Sequence, residues 1–559
     1  MQTVPIETQP ASRPRPWYTA LLLAVWIGLL AAEILCRKYP AAGKVGIVLW
    51  LASFVFLAAF TLRAFGTLLR EIPRRGILTP IMVILWFVLV IVNIPRVKNV
   101  SCETTQETAQ ALNLLESAPD WGFQRSAFLG YPARQFVLPA LPSLLFGRNV
   151  TALHAGGSLY FLLGLMIFAT GVAATFDKPR TGDWAGAFLL ALIFHIYYVN
   201  FLLFWFEQSI FPFSFGLMLV GLFLHYRKNP APATLLLMGF PLLYLAHTYT
   251  PSLAILGLGG VGMLYLGIRM VHTIRERILV TLILAVVAVS VQYSVLVRTD
   301  VTKSSRIKIT EGTPILEKSF NALAHVVLGT GYPPMVSPVF YGLFLFAIFT
   351  PLLLLYGWKM FVLSGWILAT LWVSVMTRGY ADPPIHYAVH RANVIFPVLL
   401  AMLLFIPAAF RIEVPRRLAF ALAAWVFVLA TGLYYQGRYL NDKGNEERMR
   451  HVEFIQWVQT NTKGNQTTGE LYFAPELRTR FIALYDALQY FLPGWRTTVL
   501  DQQTPPLVPP HVNTPRILIV PHGNWTSTPA NITQNAHPVP LGKFLFKQDA
   551  PLDVFTLTP

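Results

Sequence analysis

Four clusters of ionisable residues stand out in a chain that is otherwise apolar. The first lies in KNVSCETTQETAQALNLLESAPDW, where Glu103 and Glu107 are four apart and so share one face of a helix. A carboxylate held just outside a membrane span can act as general base toward a hydroxyl at the interface. The same pair near a helix start also favours the helix dipole, so spacing alone leaves both roles open. Ala109, Leu112 and Leu115 add an apolar stripe, suited to a helix lying along a membrane surface. The second cluster, FWFEQSIFPF, sets Glu207 between two apolar runs on the outer side, where an acidic residue at a span end can reach water or cap a helix. The third, RTDVTKSSRIKIT, offers Arg298, Lys303, Arg306 and Lys308. The fourth, TRGYADPPIHYAVHRANVIFP, offers Arg378, Tyr380, Asp382, His386, His390 and Arg391. Cations in this number suit a phosphate guest, or equally the headgroups of ordinary anionic lipids. His386 and His390 are i, i+4 without an HExxH context, so no metal ligand set is assigned.

The elements that must position these groups are membrane helices. Of 559 residues, 55% are hydrophobic and only 12% charged, against about 25% charged in a soluble protein. The apolar residues fall in blocks of roughly 18–25, the length that crosses about 30 Å of hydrocarbon. That excludes a soluble, fibrous or disordered chain. Thirteen spans are predicted, starting near Tyr18, Lys44, Ile77, Ala152, Trp184, Gln208, Ala233, Ser252, Ile278, Val336, Lys359, Ala392 and Leu418. The two either side of Tyr249-Thr250-Pro251 can also be read as one long broken helix. Apolar segments continue long after the first, so no cleavable signal peptide is expected. Glu33 and His195 fall within spans and read as satisfied polar groups of the interior, while His247 falls near the outer surface; all three read as structural rather than catalytic.

Charge fixes the orientation. With the N-terminus inside, the alternate connections carry seventeen Lys and Arg against five on the short outer ones, a positive-inside bias that an even number of spans would break. The formal net charge is +17, yet residues 436–559 hold 11 basic and 10 acidic residues. The excess belongs to loops at the bilayer, and no basic patch for nucleic acid is seen. Two cysteines, Cys36 and Cys102, make neither a disulfide framework nor a zinc site.

The chain is thus a polytopic α-helical membrane protein with its N-terminus in and C-terminus out. Residues 1–17 form a cytoplasmic N-terminus and 18–94 three spans. Residues 95–150 form an outer loop with surface helices, including the proline-rich FLGYPARQFVLPALPSLLFGRN. Residues 151–435 hold the remaining spans, with a second outer loop at 298–335. Residues 436–559 read as a small outer α/β domain, in which EERMRHVEFIQWVQT and ELRTRFIALYDALQYF are helical and LYFA and RILIV are strands. Five Asn-x-Ser/Thr sequons, at Asn99, Asn149, Asn465, Asn524 and Asn531, fall on the outer side.

The order of parts over residues 77–400 resembles the GT-C superfamily of polytopic glycosyltransferases, among them the protein O-mannosyltransferases and the aminoarabinose transferases. The likeness rests on a span followed by the acidic loop CETTQETAQALNLLES, on GYPARQFVLPALPSLLFGRNVTALHAGGSLYFLLG as surface helix, Phe-Gly turn and next span, and on HRANVIFPVLLAML as the late Arg-to-Pro span start. Two departures stand out: two extra spans precede the acidic loop, and the usual Asp-Glu or Asp-x-Asp pair is replaced by Glu103 with Glu107 one turn on.

The resemblance implies transfer of a sugar from a polyprenyl phosphate to an acceptor hydroxyl, with inversion. Glu103 would be the base, Arg391 would face the leaving phosphate, and His390, His386, Arg378, Tyr380, Lys303 and Arg306 would assist at the donor site. Glu207 would orient the acceptor or contribute to a metal site. The donor is then a polyprenyl-phosphate-linked sugar and the acceptor a lipid, glycan or protein. The setting is an integral membrane with the site facing out, toward the periplasm or exterior of a bacterial cell membrane or, in a eukaryote, the ER lumen. No cofactor is specified; a divalent Mg or Mn is compatible with a phosphate leaving group. The rival readings are a transporter or flippase, which would want ionisable groups at mid-membrane and repeated halves, and a non-catalytic scaffold.

Overall fold

A computed structural model of the chain describes residues 16–36, 38–96, 102–117, 133–176, 178–195, 210–228, 230–248 and 252–302. It also describes 469–474, 490–492, 494–499, 516–521, 537–544 and 552–558. The first group is a helical bundle: α1 Pro16–Leu35, α2 Pro40–Arg70, the single turn α3 Ile72–Arg75, α4 Leu78–Asn93, α5 Cys102–Ser117, α6 Val137–Phe146, α7 Val150–Thr175, α8 Pro179–His195, α9 Ile210–Tyr226, α10 Pro232–Ala246, α11 Ser252–Arg269 and α12 Ile274–Thr302. α1, α2 and α7 are long and apolar enough to cross a membrane, and α4, α9, α10 and α11 carry shorter apolar segments. The spans expected near Val336, Lys359, Ala392 and Leu418 lie outside the described residues.

Burial separates the central helices from the lipid-facing ones. α9 and α10 bury side chains all round, and α7 nearly so, as helices enclosed by protein must. α2 instead exposes Val48, Val55 and Leu62, seven residues apart along one stripe. α4 exposes Ile81, Ile84, Leu85 and Val88, and α11 exposes Val261, Leu264 and Ile268. Aliphatic stripes of this length facing outward fit hydrocarbon rather than water. α10 and α11 are two separate helices. A Cβ on Gly259 would lie 2.6 Å from Leu242 Cδ2, and one on Gly267 would lie 3.9 Å from Leu235 Cδ1. Rising numbers on α11 meet falling numbers on α10, so the pair is an antiparallel hairpin and the single-broken-helix reading is corrected.

The basic residues gather at one end, where they close helix termini. Arg75 Nη1 donates to Ala173 O at 2.8 Å, Arg227 Nη2 to Thr175 O at 3.5 Å, and Arg269 Nη1 to Arg227 O at 2.6 Å. Each brings a cation to carbonyls that a helix C-terminus leaves unpaired. At the same end α4 is capped from another helix. Asp183 accepts from the Leu78 N–H at 3.0 Å and the Thr79 N–H at 2.8 Å, and Thr79 Oγ1 donates back to Asp183 O at 2.6 Å. Gly76 lets the chain pass: its φ is +122°, and a Cβ there would lie 2.3 Å from Asp183 Oδ2. Asp183→Ala is expected to lower stability by about 1–2 kcal/mol, the usual loss for an N-cap, read as a fall in the thermal midpoint in detergent.

The second group of residues forms one mixed sheet of β1 Gly469–Phe473, β2 Trp495–Val499, β3 Arg516–Pro521, β4 His537–Phe544 and β5 Leu552–Thr558, in the order β2-β1-β3-β5-β4. β1 runs parallel to β2 and β3, while β5 is antiparallel to β3 and β4. β1 contains the LYF of the predicted LYFA strand, with Ala474 just past its end, and β3 contains RILIV. Leu471, Tyr472 and Phe473 are buried in succession, so both faces of β1 are covered, as a parallel strand requires. The two predicted helices of this region lie outside the described residues, save that Tyr490 and Phe491 are helical.

Candidate functional site

At the end of the bundle opposite the arginine-capped termini, α5 and α6 close over the helices. α5 is the helix expected from CETTQETAQALNLLES, and it places Glu103 and Glu107 one turn apart. It does not lie free on a surface. Thr105, Glu107, Thr108, Ala109, Ala111, Leu112 and Leu114 are all buried, so protein covers more than the apolar stripe alone. At its far end Glu116 Oε1 lies 3.5 Å from Arg148 Nη2. α6 follows a 3-10 turn, Ala133–Phe136, and lies directly on α7. A Cβ on Gly156 would come within 1.8 Å of Pro139 O, so this contact is possible only for glycine.

Arg134, in that 3-10 turn, is the centre of a buried polar cluster. Its Nη2 lies 2.7 Å from Glu33 Oε1 near the end of α1, and the two side chains are 1% and 4% exposed. The same nitrogen donates to His247 Nδ1 at 2.8 Å, approaches His247 Nε2 as well, and lies 3.4 Å from Ser294 Oγ of α12. Ser294 Oγ in turn lies 3.3 Å from both oxygens of Glu33. The guanidinium sits 5.5 Å from the Trp50 ring centroid, a cation–π contact. Around it pack Phe54 stacked on Tyr244 at 4.4 Å, and Phe136 edge-on to Phe211 at 4.9 Å. Tyr160 OH donates to Gln135 O at 2.6 Å, and Ser53 and Tyr244 share a short hydrogen bond. A buried cation survives in an apolar medium only when paired and hydrogen-bonded, and this one is both.

The sheet region reaches the same segment. Tyr490, fully buried, shares a hydrogen bond with Ser143 Oγ of α6 at 2.6 Å and donates to Asn149 O at 3.2 Å. Burial pushes its phenol up to about 12, so it keeps its proton for those bonds. Asn149 itself caps α7: its Oδ1 accepts from Ala152 N at 2.8 Å, and its Nδ2 donates to Phe146 O at 2.9 Å. This sequon amide therefore does structural work within the fold.

The structure thus brings Glu33, expected as a satisfied interior group, and His247, expected near the outer surface, onto Arg134, which the sequence did not single out. The signal was present: an arginine inside the apolar stretch GYPARQFVLPALP needs a buried counter-charge once that stretch packs against protein. Glu207, Lys303, Arg306, Arg378, Tyr380, His386, His390 and Arg391 lie outside the described residues, as do Asn99, Asn465, Asn524 and Asn531. Among the described residues no three His, Cys, Asp or Glu side chains converge as metal ligands would.

No family model and no curated protein sequence matches the chain. Two crystal structures do. One is ArnT from Cupriavidus metallidurans in the apo state, with a TM-score of 0.53 and 13% identity over 85% of this chain and 97% of that one. The other is the same protein bound to undecaprenyl phosphate, with a TM-score of 0.52 and 13% identity over 84% and 98%. At that identity the likeness is one of fold, and the chain has an ArnT-like fold.

Proposed function

We propose that the protein is a glycosyltransferase that moves a sugar from a polyprenyl-phosphate carrier to an acceptor hydroxyl at the outer face of the membrane, with inversion. The observation that carries this reading is the ArnT-like fold over most of the chain, one of whose structural neighbours is bound to undecaprenyl phosphate. The carrier's phosphate would sit against Arg391, with His390, His386, Arg378, Tyr380, Lys303 and Arg306 around it, because growing negative charge on the leaving oxygen needs fixed cations. Glu103 would take the proton of the acceptor hydroxyl. The acceptor oxygen then bonds to the anomeric carbon from the side opposite the phosphate, the carbon–oxygen bond to phosphate breaks, and polyprenyl phosphate departs. Glu107, buried one turn further on, would support that helix, and Glu207 would orient the acceptor.

Native mass spectrometry of gently purified protein tests the donor without a guess about the acceptor. A polyprenyl phosphate or its sugar adduct should co-purify and be lost in Arg391→Ala. With the donor so identified, Glu103→Gln and Arg391→Ala are each expected to lower turnover about 100-fold or more. Wild-type turnover in both would sink these assignments. Bulk phospholipid alone, unchanged by Arg391→Ala, would favour a transporter or scaffold instead.

A further inference from the structure

The buried ion pair has no part in that chemistry, yet it is tied to the segment that carries it. Arg134 stands immediately before α6, and its partners come from three elements remote in sequence: Glu33 of α1, His247 just after α10 and Ser294 of α12. The next residue, Gln135, is held through its carbonyl by Tyr160 of α7. Pro139, one turn on, rests on the Gly156 backbone with no room for a Cβ between them. α5 packs against both the 3-10 turn and α6, and its Glu107 face is buried. A shift at Arg134 therefore moves the turn, α6 and the acidic helix together, because packed interiors transmit displacement rather than absorb it.

We propose that Arg134 is a positioning residue, held by Glu33, that fixes the height and angle of the α5–α6 segment over the bundle. This rests on the transferase reading above. α1 then contributes to the site by supplying a carboxylate that touches no substrate.

The test pairs kinetics with a distance. Spin labels go on Leu145 of α6 and Val48 of α2, both exposed, in a Cys102→Ser background; Cys36 is buried and stays. A control pair joins Val48 to exposed Val88 of α4. Glu33→Gln is expected to broaden the Leu145–Val48 distance and leave Val48–Val88 unchanged. It should lower kcat about 10–100-fold, the effect of a misplacement on the order of 1 Å, with the KM for the carrier within about twofold. Arg134→Lys, which keeps the charge but cannot reach Glu33, His247 and Ser294 at once, should show the same split more weakly if Glu33→Gln fails to fold. Unchanged kcat with a narrow Leu145–Val48 distance would overturn the proposal. So would broadening of both pairs together, which would mean general loosening. If wild-type protein transfers no sugar from any polyprenyl phosphate, the transferase reading falls, and the two distances alone decide whether Arg134 positions α6.

Discussion

Arg134→Met is expected to destabilise the folded protein by about 3–5 kcal/mol, the cost of leaving one partner of a buried ion pair uncompensated. Three features put the site at the upper end. Glu33 is 3% exposed and its near neighbour Ser294 is buried, so the lost cation leaves a carboxylate in an apolar surround. His247 loses the hydrogen bond from the guanidinium in the same stroke. Trp50 loses the guanidinium above its ring, a contact of about 0.5–2 kcal/mol. The double substitution Glu33→Met with Arg134→Met should recover most of that loss, because two apolar side chains of similar volume need no counter-charge. A double-mutant cycle read by unfolding in mixed micelles would therefore show a large positive coupling. The informative comparison is with turnover. If the pair were only a source of stability, the double variant would regain activity along with its midpoint. If it sets the position of α6, the double variant should be as stable as the wild type and still slow.

Much of the bundle was legible in the sequence because membrane helices announce themselves by length and polarity. Blocks starting near Tyr18, Lys44, Ile77 and Ala152 correspond to α1, α2, α4 and α7, since a backbone in hydrocarbon must satisfy its own hydrogen bonds and a helix does so locally. The acidic helix α5 was legible for the same local reason. Arg134 was not, because its meaning lies in partners about 100 residues or more away, and no local pattern records which buried carboxylate meets which guanidinium. Asp183 was missed likewise: from the sequence it is one charge among several in a basic connection, whereas in the fold it caps a helix that begins 105 residues earlier. The sheet shows the opposite failure. β1 and β3 have the unbroken apolar runs of buried strands, but β4, HPVPLGKF, carries two prolines and a glycine. Those are tolerated because it pairs with β5 alone, at the edge of the sheet order.

The other large effect is expected at a glycine. Gly171→Leu should separate α7 from α9 and lower stability by about 3 kcal/mol, the upper range for forcing extra volume into a packed interior. Lipid gives apolar helices little reason to prefer each other over hydrocarbon, so close association depends on small residues that let backbones touch. Here they touch at three levels. A Cβ on Gly164 would lie 2.6 Å from Ser214 O, one on Gly171 would lie 2.1 Å from Gly221 O, and one on Gly221 would lie 2.5 Å from Ile167 O. Each obstacle is a carbonyl of the facing helix, which no rotamer change can move aside. Even Gly171→Ala should therefore be harmful, although alanine is the better helix former by about 1 kcal/mol. Gly66 on α2 and Gly257 and Gly260 on α11 provide the control, since nothing lies within 4 Å of a Cβ at any of them. Alanine there should be neutral or stabilising, and thermal midpoints of the four variants in one detergent decide the matter. α7 also carries Gly156 and Tyr160, which seat α6 and its 3-10 turn. Opening the α7–α9 seam should for that reason loosen the Leu145–Val48 distance too, while Gly66→Ala leaves it narrow. An equal loss of stability at Gly66 and Gly171 would mean that helix propensity, not backbone contact, governs this bundle.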